Sequence, residues 1–179
     1  LPKHISDDVA AIMDPYGNAV HTALSFNCVG EDVLILGAGP TGQMAALICQ
    51  HIGARHVALT DINPDRLKLA KSLGIKHCIN VKDTPLKQVV SDLKLKEGFD
   101  IVLEMSGQSA ALNEALTVMI NGGRIAQLGI FPQTPQFDLN TLVFKGLTLK
   151  GIYGREIFET WYKMVTLIDS GLNIEGIIT

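Results

Sequence analysis

Cysteine is scarce here. Cys28, Cys49 and Cys78 are the only three, and no Cys-x-x-Cys pair is present. That spacing excludes a zinc knuckle or a disulfide framework and leaves reduced core thiols as the expected use. The histidines His4, His21, His51, His56 and His77 show no His-x-x-x-His spacing, so no metal cluster is expected. Lys and Arg form no block and the formal net charge is −3, which argues against a nucleic-acid footprint. The longest apolar runs are far too short to span a bilayer, and the opening residues carry no secretory pattern, so a cytoplasmic protein is expected. A P-loop, a nucleophile elbow and low-complexity tracts are also missing. With 47% apolar and only 18% charged residues, the chain is not a disordered one, and 179 residues suit one α/β domain.

What is present starts at Gly37-Ala38-Gly39-Pro40-Thr41-Gly42. It follows the apolar run Val33–Leu36 and precedes a helical pattern from Gln43 to His51. Asp61 lies 19 residues after Gly42, at the end of a second apolar run, Val57–Thr60. A strand, a Gly-x-Gly-x-x-Gly turn, a helix and an acid at this distance make a dinucleotide site. Gly37 allows the tight turn, Gly39 lets a pyrophosphate approach the backbone, and Gly42 lets helix and strand pack closely. The helix aims free N–H groups and its positive dipole end at the phosphates. Asp61 accepts from the ribose 2′-hydroxyl and repels a 2′-phosphate, which favours NAD over NADP by roughly 1–3 kcal/mol. Arg66, five residues on, has three candidate roles: reaching a 2′-phosphate, stacking on adenine, or pairing with Asp61.

Strand and helix signals alternate six times along the chain. Strands are predicted at 32–36, 56–60, 77–79, 99–104, 123–128 and 147–151. Helices are predicted from about Asp7, with Pro15 breaking or restarting the run, then at 16–26, 40–52, from Pro64 to Gly74 with Asn63 as its cap, at 85–93, 109–119, 139–144 and 156–169. Mostly apolar strands fit a sheet buried on both faces. Right-handed crossovers give a Rossmann doubly wound α/β fold with six parallel strands in order 3-2-1-4-5-6. The expected division is a helical lead-in over 1–27, a dinucleotide-binding domain over 28–171, and a return segment over 172–179. The ends suggest a piece of a longer protein, with Ile177-Ile178-Thr179 inside the next strand.

Ligands of this fold bind beyond the carboxyl ends of the strands. Those ends carry Met105-Ser106-Gly107, Leu128-Gly129-Ile130 and Gly151-Ile152-Tyr153-Gly154. Tyr153 is either a wall beside the nicotinamide or an amphipathic rim residue. Asp14 by its position reads as a solvated cap. Asn18 and His21 follow it, with Pro15 putting a shared helix face in doubt, and a lone helical His is usually a packing residue. Trp161 and Tyr162 share a helix with Phe158 and Val165, where core or interface packing is the default.

The segment from Asp14 to Ala23 resembles the start of the cofactor domain in zinc-dependent medium-chain dehydrogenases. So do Leu103-Glu104-Met105-Ser106-Gly107, Gly122-Gly123-Arg124-Ile125-Ala126 and the run from Phe144 to Met164. The glycine motif is shared by many dehydrogenases, whereas Ile152 to Met164 is specific to the threonine-oxidising branch, and the likeness covers nearly the whole chain. The resemblance implies oxidation of the L-threonine hydroxyl to a ketone with hydride passing to NAD, and a zinc ion acting as Lewis acid. It implies that the zinc ligands and substrate pocket come mainly from a second, GroES-like domain whose motifs are absent here. This chain is then expected to bind NAD without turnover. By position, the resemblance places NAD contacts on Thr41, Asp61, Arg66, Leu128-Gly129-Ile130 and Ile152-Tyr153, with Arg66 on the adenosine side. It places Asp14 beside the zinc, tuning the metal site or relaying protons. It also implies a homotetramer, with the last strand paired across a dimer interface. The alternatives are the cofactor domain of a sorbitol- or alcohol-type zinc dehydrogenase and a non-catalytic NAD-binding module.

Overall fold

In the computed structural model, which describes residues 2–178, the alternating signals become one six-stranded parallel sheet. The strands are β1 (Asp32–Leu36), β2 (His56–Asp61), β3 (His77–Asn80), β4 (Phe99–Glu104), β5 (Met119–Gln127) and β6 (Thr148–Gly151). Their spatial order is β3-β2-β1-β4-β5-β6, as expected for a doubly wound sheet. The helices are α1 (Asp7–Ala11), α2 (Met13–Ala23), α3 (Pro40–His51), α4 (Pro64–Ser72), α5 (Leu86–Asp92), α6 (Ser109–Thr117), α7 (Leu139–Phe144) and α8 (Glu159–Asp169).

Period-two alternation divides β1 between two cores. Val33 and Ile35 join a cluster with residues of α2, α3, α4 and α8, while Leu34 and Leu36 join one with α5 and α6. Tyr16, Ala19, Val20 and Ala23 are fully buried in the first cluster, so α2 is part of the core.

Pro15 does not push the second helix back to Tyr16. That helix starts at Met13 and ends at Ala23, short of Phe26. Pro15 sits in the first turn, where an amide has no intrahelical acceptor to lose. Asn63 caps α4 as predicted, its side chain accepting from the amides of Asp65 and Arg66. The last helix begins at Glu159, after Phe158 in a left-handed conformation (φ 70°).

One more expectation is corrected. Ile177 and Ile178 do not start a strand, and Thr179 lies outside the described residues. A 3-10 turn covers Glu175–Ile177 and buries Ile174 and Ile177, whose spacing of three puts both on one side of a tight turn. β6 differs from the inner strands, since all four of its residues are exposed at the sheet edge.

Candidate functional site

The glycine turn divides three mechanical tasks among three positions. Gly37 leaves β1 at φ 98°, and its amide donates to the Thr60 carbonyl at 2.8 Å. That backbone conformation favours glycine. A Cβ on Gly42 would lie 2.0 Å from the Gly37 carbonyl oxygen, so α3 packs onto the turn only because residue 42 has none. A Cβ on Gly39 would meet nothing within 4 Å. Space lies open there at the N-terminus of α3, which has no side-chain cap and therefore keeps its amides for a ligand or water. Thr41 stands half-buried in that first turn.

Asp61 ends β2 with its carboxylate nearly buried. Oδ2 accepts from the Ala38 amide at 2.8 Å, and Oδ1 accepts from the amides of Ile62 (2.7 Å) and Asn63 (2.8 Å). A carboxylate offers about four lone-pair sites, so one remains for a ligand hydroxyl. Arg66 Nη1 lies 3.6 Å from Oδ2, with the Arg66 side chain more than half exposed. Of the three roles open to Arg66 from sequence, pairing with Asp61 is therefore present, and both residues line one cleft of about 560 Å³. The cleft also takes in Gly37, Gly39, Met105 and Ser106.

The other strand ends meet over Glu104, a residue the sequence reading used only as part of the resemblance. Glu104 is fully buried at the end of β4. It accepts from the Ser106 hydroxyl, from the Ser106 and Gly107 amides at 2.9 Å, and from Gln127 Nε2 at 2.6 Å. Every one of these partners is a donor, which complements a carboxylate. The backbones after β4 and β5 touch here. A Cβ on Gly129 would lie 2.2 Å from Glu104 Oε2 and 2.5 Å from the Gly107 nitrogen, and one on Gly107 would lie 2.5 Å from the Ile130 oxygen. The signal in the sequence was a carboxylate closing an apolar run just before a Gly, as Asp61 closes β2.

Leu128, Gly129 and Ile130 thus sit in one backbone layer with Ser106-Gly107, but outside the cleft that Asp61 lines. The Ile152 amide joins this layer by donating to the Gln127 carbonyl at 2.8 Å, while its side chain is buried in the first core, leaving only backbone for a ligand. Tyr153 is 98% exposed and outside the cleft.

Asp14 lies farther along, in the first turn of α2, and accepts from Arg155 Nη1. Because α2 runs unbroken through Pro15, Asp14, Asn18 and His21 do share a face, at spacings of four and three. His21 Nδ1 donates to the Gly154 carbonyl at 2.9 Å, which matches the packing role. Among the described residues no group of three His, Cys, Asp or Glu side chains comes together to hold a metal. These residues therefore do not fit zinc by themselves.

Comparison with known proteins gives a consistent result. Residues 40–170 match the family model described as zinc-binding dehydrogenase. The chain is 59% identical over all 179 residues to the L-threonine 3-dehydrogenase of Vibrio parahaemolyticus serotype O3:K6, covering 52% of that protein. The identity and coverage are the same for the L-threonine 3-dehydrogenase of Chromobacterium violaceum. Among solved structures, an alcohol dehydrogenase from Thermus sp. ATN1 is 30% identical with a TM-score of 0.86, over 98% of this chain and 51% of that one. An alcohol dehydrogenase from Thermotoga maritima is 28% identical with a TM-score of 0.87, over 98% and 50%. The chain spans about half the length of the curated relatives it matches.

Proposed function

The chain belongs to the zinc-binding dehydrogenase family, and from that premise we propose that it is the NAD-binding part of an L-threonine 3-dehydrogenase. The full enzyme oxidises L-threonine to 2-amino-3-oxobutanoate and passes a hydride to NAD. The threonine assignment is supported by the 59% identity to enzymes of that name. The cofactor assignment is carried by one observation: the open space over Gly39 adjoins the Asp61 carboxylate in the same cleft.

NAD, when bound, supplies the hydride acceptor. The chain's own residues bind and orient it. The first-turn amides around Gly39, Thr41 and Gly42 hold the pyrophosphate. Asp61 takes the ribose 2′-hydroxyl on its remaining lone pair, and Arg66 covers the adenosine side. The backbone of Leu128-Gly129-Ile130 and of Ile152, with Tyr153 at the rim, borders the nicotinamide. Asp14, which accepts from Arg155, would lie near a zinc held by the catalytic part of the full enzyme, tuning the metal site or relaying protons. Residues 28–171 form the NAD-binding domain, and 1–27 and 172–179, which pack α2, Ile174 and Ile177 into its core, lead on to the catalytic part. A homotetramer uses the exposed edge of β6 as a dimer contact, next to α7, on which no residue is buried. Among the described residues no helix is long and apolar enough to cross a membrane, and we place the enzyme in the cytoplasm.

Calorimetric titration of this chain with NAD and NADP tests the cofactor half. Micromolar NAD binding, with NADP weaker by about one to two decades, is expected from the charge at Asp61. Equal affinities would mean that Arg66 offsets Asp61 and the NAD assignment is wrong. A second reading, an alcohol- or sorbitol-type enzyme, is favoured by the similarity to alcohol dehydrogenases at 28–30% identity. Oxidation of a polyol but not threonine by the full-length protein would select it.

A further inference from the structure

The cleft that Asp61 lines has a second acidic wall. Asp61 and Arg66 stand where β2 ends, and across from them α6 contributes Glu114. The same lining includes the apolar side chains of Ile62, Val81, Leu86, Ala110 and Ala111, with Gln108 as a further polar member. One Glu114 oxygen, Oε1, accepts from the Leu86 amide at 3.1 Å. Among the described residues no donor bonds the other oxygen and no cation pairs with the carboxylate.

A purine joined to a ribose held at Asp61 extends away from it. Its 6-position lies on the edge opposite the glycosidic bond. A largely apolar cleft whose lining includes a carboxylate with a spare acceptor suits a base that carries an amine on that edge. We propose that Glu114 is a specificity-determining residue that accepts a hydrogen bond from the exocyclic amine of adenine. The inference rests on the dinucleotide reading of the cleft. Ile62, Val81 and Leu86 supply sequence-tolerant apolar contact, and Glu114 supplies the discrimination between a 6-amino and a 6-oxo purine. A 6-oxo group in the same pose puts oxygen lone pairs against the carboxylate, which leaves a half-buried acceptor unmatched.

The test compares calorimetric binding of NAD and of nicotinamide hypoxanthine dinucleotide to this chain, as wild type and as Glu114→Gln. The two dinucleotides differ only at the 6-position and its ring proton. Wild type is expected to bind the hypoxanthine form at least about tenfold more weakly. In Glu114→Gln the side-chain oxygen still accepts from Leu86, and the new NH₂ tolerates a 6-oxo group. There the two affinities are expected to fall within about threefold of each other, with an unchanged circular dichroism spectrum. Equal binding of the two dinucleotides to wild type overturns the inference while leaving the cofactor reading intact, and this comparison does not depend on the variant folding. Selectivity that persists in Glu114→Gln overturns it as well. No binding of either dinucleotide to the folded wild-type chain overturns the cofactor reading and the inference with it.

Discussion

Arg155 donates from Nη1 to the carboxylate of Asp14, closing the loop after β6 onto the first turn of α2. Its guanidinium carbon lies 5.5 Å from the centroid of the Trp161 ring. Its stem crosses Gly17, where a Cβ would come within 2.8 Å of Cδ. Asp14 is 67% exposed, so the ion pair itself adds little, and packing is the larger part of what Arg155 does. Arg155→Ala is expected to destabilise the chain by about 1–2 kcal/mol and Asp14→Asn by less than about 1 kcal/mol. Urea midpoints measure both, and equal losses would show that the charge pair dominates.

The second and third glycines of the motif, Gly39 and Gly42, predict opposite phenotypes. Gly42→Ala drives a Cβ against the Gly37 carbonyl, a backbone atom that cannot swing away. A loss of about 2–3 kcal/mol in stability is expected, together with loss of NAD binding. Gly39→Ala meets no protein atom. Its melting temperature is expected to stay near wild type while NAD affinity drops by about tenfold or more, because the methyl occupies ligand space. Thermal melts and titrations on the two variants separate these cases.

Glu104 links two loops by accepting from the Ser106 and Gly107 amides and from Gln127 Nε2, which also donates to the Gly129 carbonyl at 2.7 Å. Glu104→Ala removes the side-chain acceptor of the Ser106 and Gly107 amides and leaves Gln127 Nε2 with the Gly129 carbonyl alone. A cost of about 3 kcal/mol is expected. Hydrogen exchange at Gly107 and Gly129 is expected to speed up more than exchange at Gly37. Uniform acceleration would contradict a local role.

At the opposite end of the sheet Asp32 begins β1 with its side chain 2% exposed. Burial works against its ionised form, but hydrogen bonds from Arg55 (2.8 and 2.5 Å) and His56 (2.8 Å) outweigh it and hold the carboxyl below its usual range. A depressed folded pKa means that the stabilisation is present above the unfolded value, about 3.9, and is lost as pH falls through the folded value. Asp100 runs the other way, since burial pushes its carboxyl up. The difference between variants is therefore the cleaner readout. Asp32→Asn is expected to cost about 2 kcal/mol at pH 7, and the gap to wild type is expected to shrink below about pH 4. A gap that stays constant from pH 7 to pH 3 would show that the charge of Asp32 contributes nothing.

Much of this architecture was written in short-range signals. The bounds of β1, β4 and α7 follow from apolar runs framed by Gly, Asp or Pro, and the structure places them at the residues the sequence marks. Asn63-Pro64 announces a helix start because cap and first-turn geometry involve neighbours only. The glycine motif with Asp61 was legible for the same reason: turn, helix start and strand end each depend on a few adjacent residues. Pro15 misled because a proline in the first turn of a helix and a proline that breaks one look alike until the helix start is known.

The sequence by itself determined the alternation of elements, their parallel order and the dinucleotide turn, since periodicity, capping and handed crossovers are local or chiral constraints. Only the tertiary structure decided which distant side chains meet. Arg155 reaches Asp14, Glu104 gathers the loops after β4 and β5, Glu114 faces the cleft of Asp61, and Ile174 and Ile177 fold back as a turn rather than a strand. Burial and hydrogen-bond satisfaction settle those pairings in space, and no spacing along the chain encodes them.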